Sequence, residues 1–246
     1  MPKPGCFCVV FFSVMLLSFN AYCQPANNDS AFYNNAVNNV KTTYFSAVKE
    51  KAGLYNGTAY EAYGHGVNGI PFFLADSMVM GSVMYDGFLY EDVPVKYDMD
   101  NDQLLTTYYY NNTLLQLIKD EVGYFDIMGH RFVRFDKNQQ TPGSPDGFCE
   151  LLYGNKKMSV LVKRGKRIQQ STNPDDKSST FVQYNQYLIY RDNKFLPVNS
   201  EDDLMKIFND KAPDLKKFMR SKKVKYKKNA EQAILTATLF YNGITN

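Results

Sequence analysis

The sequence predicts an α+β fold, mainly β: an antiparallel, curved or partly closed sheet with an N-terminal helix and a C-terminal helical segment. Three observations predict it. Apolar residues recur at helical spacing near both ends of the chain and at every second position in between. Turn residues punctuate that middle stretch about every eight to twelve positions. The chain carries 19 Tyr and 18 Phe but no Trp, and aromatics of this kind favour a half-buried pleated surface. Meander, sandwich and open barrel all fit the spacing. A doubly wound fold does not, because strands and helices fail to alternate.

Residues 1–23 read as a secretory signal peptide. Lys3 supplies the positive charge, Val9 to Phe19 the apolar run, and Ala21 and Cys23 the small residues before a cleavage at Gln24. The run is shorter than the roughly 20 residues of a membrane span. Lipidation of Cys23 would call for a small residue before it, where Tyr22 stands. The expected destination is the periplasm or cell envelope, or the cell exterior. Loss of Lys3 lowers the formal charge from +3 to about +2, a balance that does not demand nucleic acid as partner. Cys6, Cys8 and Cys23 leave with the leader, so Cys149 remains alone and no internal disulfide is expected. A lone cysteine in the strand-like "GFCELLY" reads as a buried, inert thiol.

Residues 24–246 are expected to form one domain. Within 24–53, Phe32, Ala36, Val40, Tyr44 and Val48 share a helical face, with Asp29 or Ser30 as a cap and Gly53 at the end. From 54 to 198 the period is two. Asp86-Gly87 and Gly154-Asn155 each divide two alternating runs, the pattern of tight hairpins. Further strands are expected in "QLLTTYYY", "LLQLI", "GYFDIM", "RFVRF", "FVQYNQYLIY" and "KFLPV", and Pro94 marks an edge or a bulge. Asp136 to Gly147 and Ser171 to Thr180 are polar loops. From 199 to 246 the pattern is helical again. Ser200 and Asp203 resemble a capping box, Pro213 opens a second helix, and Asn229 caps a third that Gly243 would end. "KKVKYKK" between the last two alternates like an extended piece.

The chemistry-bearing candidates are few. Asp98, Asp100 and Asp102 alternate as at the start of a calcium loop. Counting from Asp98, however, position 6 is Gln103 rather than Gly and position 12 is Tyr109 rather than Glu. The stretch therefore reads as the solvated tip of a hairpin. His65 lies among glycines and His130 after Gly129 at a strand entry. Two histidines and one cysteine do not make a zinc cluster. "GSPDG" (Gly143 to Gly147) misplaces the serine of a nucleophile elbow and reads as a turn. Glu91 with Asp92, and Glu201 with Asp202 and Asp203, are adjacent rather than convergent. Two basic runs, Lys163 to Arg167 and the tract Lys216–Lys228, read as solvated faces, the second also as a weak contact for an envelope polyanion. No residue is assigned a catalytic, cofactor-binding or metal role, and no cofactor is expected.

The stretches "LYNGTAY", "GIPFFLADSMVMGSVMYDGFLYEDVPVKYDMDNDQLL", "LIKDEV", "GHRFVRF", "GFCELLYGNKKMSVLVKR" and "FLPVNSEDDLMKIFNDKAPDLKKFMRSKKVKYKKN" resemble an uncharacterised exported protein family abundant in Bacteroidetes. That resemblance implies a Gram-negative envelope location and brings no catalytic residues. Members often show Gly-His before the Phe-Phe pair, where this chain has Gly69-Ile70-Pro71. The expected function is a non-enzymatic exported envelope protein, a binding or assembly module for a glycan, lipid or protein. The alternative is an exported hydrolase using carboxylates or histidines.

Overall fold

Period-two alternation after residue 54 produces twelve strands among the described residues, joined in one sheet. The structure is a computed structural model. It describes residues 36, 37, 39, 40 and 43, and residues 53–245 apart from 65, 109, 110, 138–140, 142, 174, 176 and 177. The signal peptide expected at residues 1–23 and most of the helix expected within 24–53 lie outside the described residues. The five described there are helical, with Thr43 Oγ1 donating to the Asn39 carbonyl at 2.8 Å. The chain divides into two compact units, Met1–Ala47 and Val48–Asn246. All twelve strands belong to the second.

The strands are β1 (Thr58–Ala59), β2 (Val67–Asn68), β3 (Val79–Tyr85), β4 (Phe88–Asp98), β5 (Gln103–Thr107) and β6 (Leu114–Gln116). They continue with β7 (Val122–Ile127), β8 (His130–Phe135), β9 (Gly147–Gly154), β10 (Met158–Gln170), β11 (Ser179–Arg191) and β12 (Lys194–Val198). Their order is β1-β6-β5-β4-β3-β7-β8-β9-β10-β11-β12, antiparallel throughout, and β2 adds to β11 in parallel. That parallel pair departs from the all-antiparallel expectation. It needs no crossover helix, because the chain makes a long excursion through the intervening strands between its two members.

Turn chemistry sets the registers. Asp86 (φ 47°) and Gly87 (φ 75°) both take the left-handed backbone that a two-residue hairpin requires. Met128-Gly129 and Asp192-Asn193 do the same. The β9–β10 turn is wider than a two-residue turn: Asn155 Oδ1 accepts from the amides of Lys157 and Met158, both at 2.8 Å. Pro94 lies beside a bulge, as its missing N–H predicts, where Glu91 and Asp92 (φ 53°) interrupt the β3–β4 register.

The sheet is open, with β1 and β12 at its edges, and it bends sharply across its middle. Tyr97 of β4 and Phe148 of β9 are separated by three strands, yet their ring centroids lie 6.0 Å apart. Phe125 and Phe132 stack between them at 5.0 Å. Val83, Tyr85, Val95 and Leu104 complete this first core, all fully buried. Each such side chain stabilises the fold by about 1.5–3 kcal/mol through apolar burial. The bend brings the turn after β4 against β10, where the Lys166 amide donates to the Met99 carbonyl at 3.1 Å.

Three helices make the second core against β9–β12: α1 (Glu201–Ile207), α2 (Ala212–Ser221) and α3 (Ala230–Thr245). Leu204, Phe208, Leu215, Met219, Ile234 and Ala237 pack on Met158, Val160, Ile189 and Val198. Ser200 Oγ accepts from the Asp203 amide at 3.2 Å, and Asp203 reaches back to the Asn199 amide at 3.1 Å. Asn229 caps α3 through the Gln232 amide at 2.9 Å. Two expectations fail here. Gly243 lies inside α3 rather than beyond it. "KKVKYKK" makes turns, not a strand; Lys223 is left-handed (φ 56°) and the Val224 amide bonds Met219 at the end of α2.

Candidate functional site

The three alternating aspartates occupy the end of β4 and its turn into β5, a hairpin tip as expected, but not a solvated one. Asp98 is 0% exposed. Its carboxylate accepts from the hydroxyls of Tyr60 (2.9 Å) and Tyr63 (3.1 Å), from the amides of Asp100 and Asn101, and from Asn101 Nδ2. Tyr63 also donates to Asp100 at 2.9 Å. Both tyrosines come from a stretch some 35 residues earlier in the chain, so no local pattern announces them. Burial, and then the two aspartates, push both phenols far above their ordinary value.

Asp102 faces elsewhere and forms a second hub. It accepts from Tyr97 Oη (2.6 Å), Lys119 Nζ (2.7 Å) and Lys163 Nζ (2.6 Å), and from the Phe148 amide. Burial alone would raise its carboxyl, but Lys163, Lys119 and Tyr97 outweigh this and hold it below the usual range. Gly147 makes the approach possible. It is left-handed (φ 76°), and a Cβ there would overlap the Asp102 carboxylate. With Asp98 and Asp102 directed to different partners and their oxygens engaged, the three aspartates do not converge on a common point. Among the described residues no group of three or more His, Cys, Asp and Glu side chains has metal-holding geometry.

A third hub joins the two cores. Glu150 of β9, 3% exposed, accepts from His130 Nδ1 at 2.5 Å and from Arg164 Nε, and Arg164 Nη2 reaches Glu231 at the start of α3 at 2.9 Å. Burial opposes the Arg164 charge, yet Glu150 and Glu231 raise its guanidinium above the ordinary value. Phe73, from the "GIPFF" stretch, packs edge-on against His130 at 5.1 Å. That stretch lies beside the end of β4, where Phe73 N–H bonds the Tyr97 carbonyl, and Lys166 Nζ donates to the carbonyls of Ile70 and Phe72 at 2.8 Å each.

These contacts correct the reading of Lys163 to Arg167 as a solvated face: Lys163, Arg164 and Lys166 are all drawn inward by groups distant in sequence. The tract Lys216–Lys228 behaves otherwise. Its Lys216, Lys217, Arg220, Lys222, Lys223, Lys225, Lys227 and Lys228 are exposed, and none enters an ion pair among the described residues.

The remaining candidates take structural places. Cys149 is buried, and burial pushes its thiol up to about 12. Ser144 of "GSPDG" donates to the Pro145 carbonyl at 3.3 Å within its turn. His65 lies outside the described residues. What sequence reasoning missed is concave surface. A pocket of about 450 Å³ lies between the β9–β10 turn, the β11–β12 turn and the later part of α3. An apolar cleft of about 290 Å³ is lined by Val133, Phe135, Leu151, Leu161, Tyr190 and Phe195. Neither has a local signal, since each assembles residues from several strands. No protein-family model, no curated protein and no solved structure matches this chain.

Proposed function

We propose that the protein is a non-enzymatic, exported envelope protein that works as a binding module, holding an envelope polyanion on the exposed tract Lys216–Lys228. The leader-like residues 1–23 and the resemblance to an exported Bacteroidetes family support the location. One observation carries the binding reading. Eight of the chain's 28 basic side chains lie within 13 consecutive positions that contain no acid, and all eight face solvent without an acidic partner among the described residues. Lys163, Arg164 and Lys166 meet carboxylates or carbonyls instead. An unneutralised patch of this size attracts anions over a distance set by salt, about 10 Å at 0.1 M. The test is retention of the mature chain on a sulfated-polysaccharide resin. The wild type is expected to elute at higher salt than a variant with Lys216, Lys217, Lys222 and Lys223 changed to Glu. Equal elution of the two would remove this reading.

A second reading, an exported hydrolase, draws on His130. Its Nδ1 lies 2.5 Å from Glu150, and the imidazole is about one-third exposed, the arrangement of a base oriented by a carboxylate. Hydrolysis of chromogenic esters or glycosides that disappears in His130→Ala would favour it. Hydrolysis that survives that change would end it.

A further inference from the structure

We propose that the polyanion held by the tract Lys216–Lys228 is the anionic headgroup layer of a phospholipid bilayer, with the outer face of α3 dipping into it. The proposal rests on the binding reading of that tract and adds an apolar component to it. From Gln232 to Thr245, α3 carries no charged residue. Ile234, Ala237 and Tyr241 turn inward onto the second core. The outer face holds Leu235, Thr236 and Phe240, all half-buried, and the exposed Gly243. Leu239, on the same face, is 54% exposed, and the described residues leave it open to solvent. An apolar patch rimmed by polar groups marks an interaction surface.

Here the rim is basic. Phe218 of α2, itself within the tract, stacks on Phe240 with ring centroids 4.5 Å apart, so the tract and the apolar face adjoin. Lys222 Nζ lies 5.6 Å from the Phe218 ring. Asp214, in the first turn, is the one acid of α2. Lysines of this kind lay their stems along apolar surface and keep their ammonium groups at headgroup level, where an anionic leaflet attracts each of them. α3 has 16 residues, fewer than the roughly 20 of a membrane span, and its inner face is taken up by the core. It therefore lies in the plane of the interface and sinks only its outer side chains. A dissolved polysaccharide would meet the lysines but would leave Leu235, Leu239 and Phe240 in water, and this favours a bilayer.

The chain has no tryptophan, so Leu239→Trp supplies a single reporter at an exposed position. Fluorescence of the mature chain carrying it is followed on adding vesicles of phosphatidylcholine with or without phosphatidylglycerol. Expected are a blue shift with the anionic vesicles alone and quenching by brominated acyl chains. Both should vanish when Lys216, Lys217, Lys222 and Lys223 are changed to Glu. In sedimentation with the anionic vesicles, Leu239→Ser should bind about tenfold more weakly than wild type, the scale of one leucine kept out of an apolar phase. No shift, a shift without quenching, or equal binding to neutral vesicles would overturn the proposal. So would an indole already buried without vesicles, which would mean that the protein itself or a second copy covers the face. Leu239→Ser should elute from the sulfated-polysaccharide resin with the wild type. Retention of the wild type there without vesicle binding would sink the bilayer alone, and failure on both would sink the reading of the tract as well.

Discussion

Two basic runs look alike in the sequence and differ completely in the fold. Lys163 to Arg167 lies on β10, the strand that touches both the bent sheet and the helices, and three of its four cations are drawn inward. Lys216–Lys228 lies on α2 and the turns after it, where no carboxylate among the described residues pairs with it, and its cations stay in water. Charge density is similar; environment decides. A cation beside a carboxylate in a poorly hydrated place is bound to the structure, and its loss leaves the partner unpaired. A cation on a solvated surface contributes almost nothing to folding and is free for a partner.

Predictions that test this contrast can be ranked by size. The largest effect is expected at the inner charges. Asp102→Ala leaves Lys163 and Lys119 without their shared partner and should cost about 3–5 kcal/mol in urea unfolding. Gly147→Ala, which forces a Cβ into the same carboxylate, should be destabilising through the same hub; an unchanged midpoint would contradict the hub's geometry. Glu150→Ala leaves Arg164 with Glu231 alone and frees His130, so a loss of about 3 kcal/mol is expected, read in the same way.

The next effect is pH-dependent. Asp102 is held below its ordinary value of 3.8, so the unfolded chain takes up its proton first as pH falls. Its contribution is fully present above that ordinary value and is lost as pH drops through the folded one. Asp126, kept low mainly by its Arg131 hydrogen bond, adds to the same slope. Unfolding free energies between pH 6 and about pH 2 should fall less steeply for Asp102→Asn than for wild type, and parallel curves would refute the assignment.

Smaller still is the kinetic signature of Cys149, whose thiol is pushed up to about 12. Labelling of Cys149 itself, followed on the peptide that carries it, by a thiol reagent at neutral pH should be slow in the folded chain and fast in urea; equal rates would mean an accessible thiolate. The smallest effect belongs to the outer charges. Lys216→Ala or Lys222→Ala should move stability by no more than about 0.5 kcal/mol. A larger change would mean that the tract is structural after all.

Much of this architecture was legible because it rests on local chemistry. Asp86-Gly87 implies a hairpin wherever it stands between alternating runs, since both residues tolerate the left-handed backbone that the turn needs. Ser200 and Asn229 cap helices by bonding amides only three residues away. Gly243 misled because a glycine ends a helix only when the chain has reason to turn there. The extended reading of "KKVKYKK" failed for a related reason. Alternation signals a strand when a neighbouring strand offers its ladder, and no described strand does so beside α2. The hubs were illegible for a different reason. Asp98 meets Tyr60 and Tyr63, and Asp102 meets Lys119 and Lys163, only in the folded chain, so "DMDND" reads as a polar turn until its distant partners are known.

The sequence by itself determined the alternation of the middle of the chain, the helices after residue 199, the principal turns and the leader-like pattern of residues 1–23. These depend on backbone preferences and side-chain periodicity over a few residues. Only the tertiary structure decided which charges are buried and which remain in water. Hydration and pairing depend on what lies across a few ångströms of space, and in a bent sheet those neighbours come from anywhere in the chain.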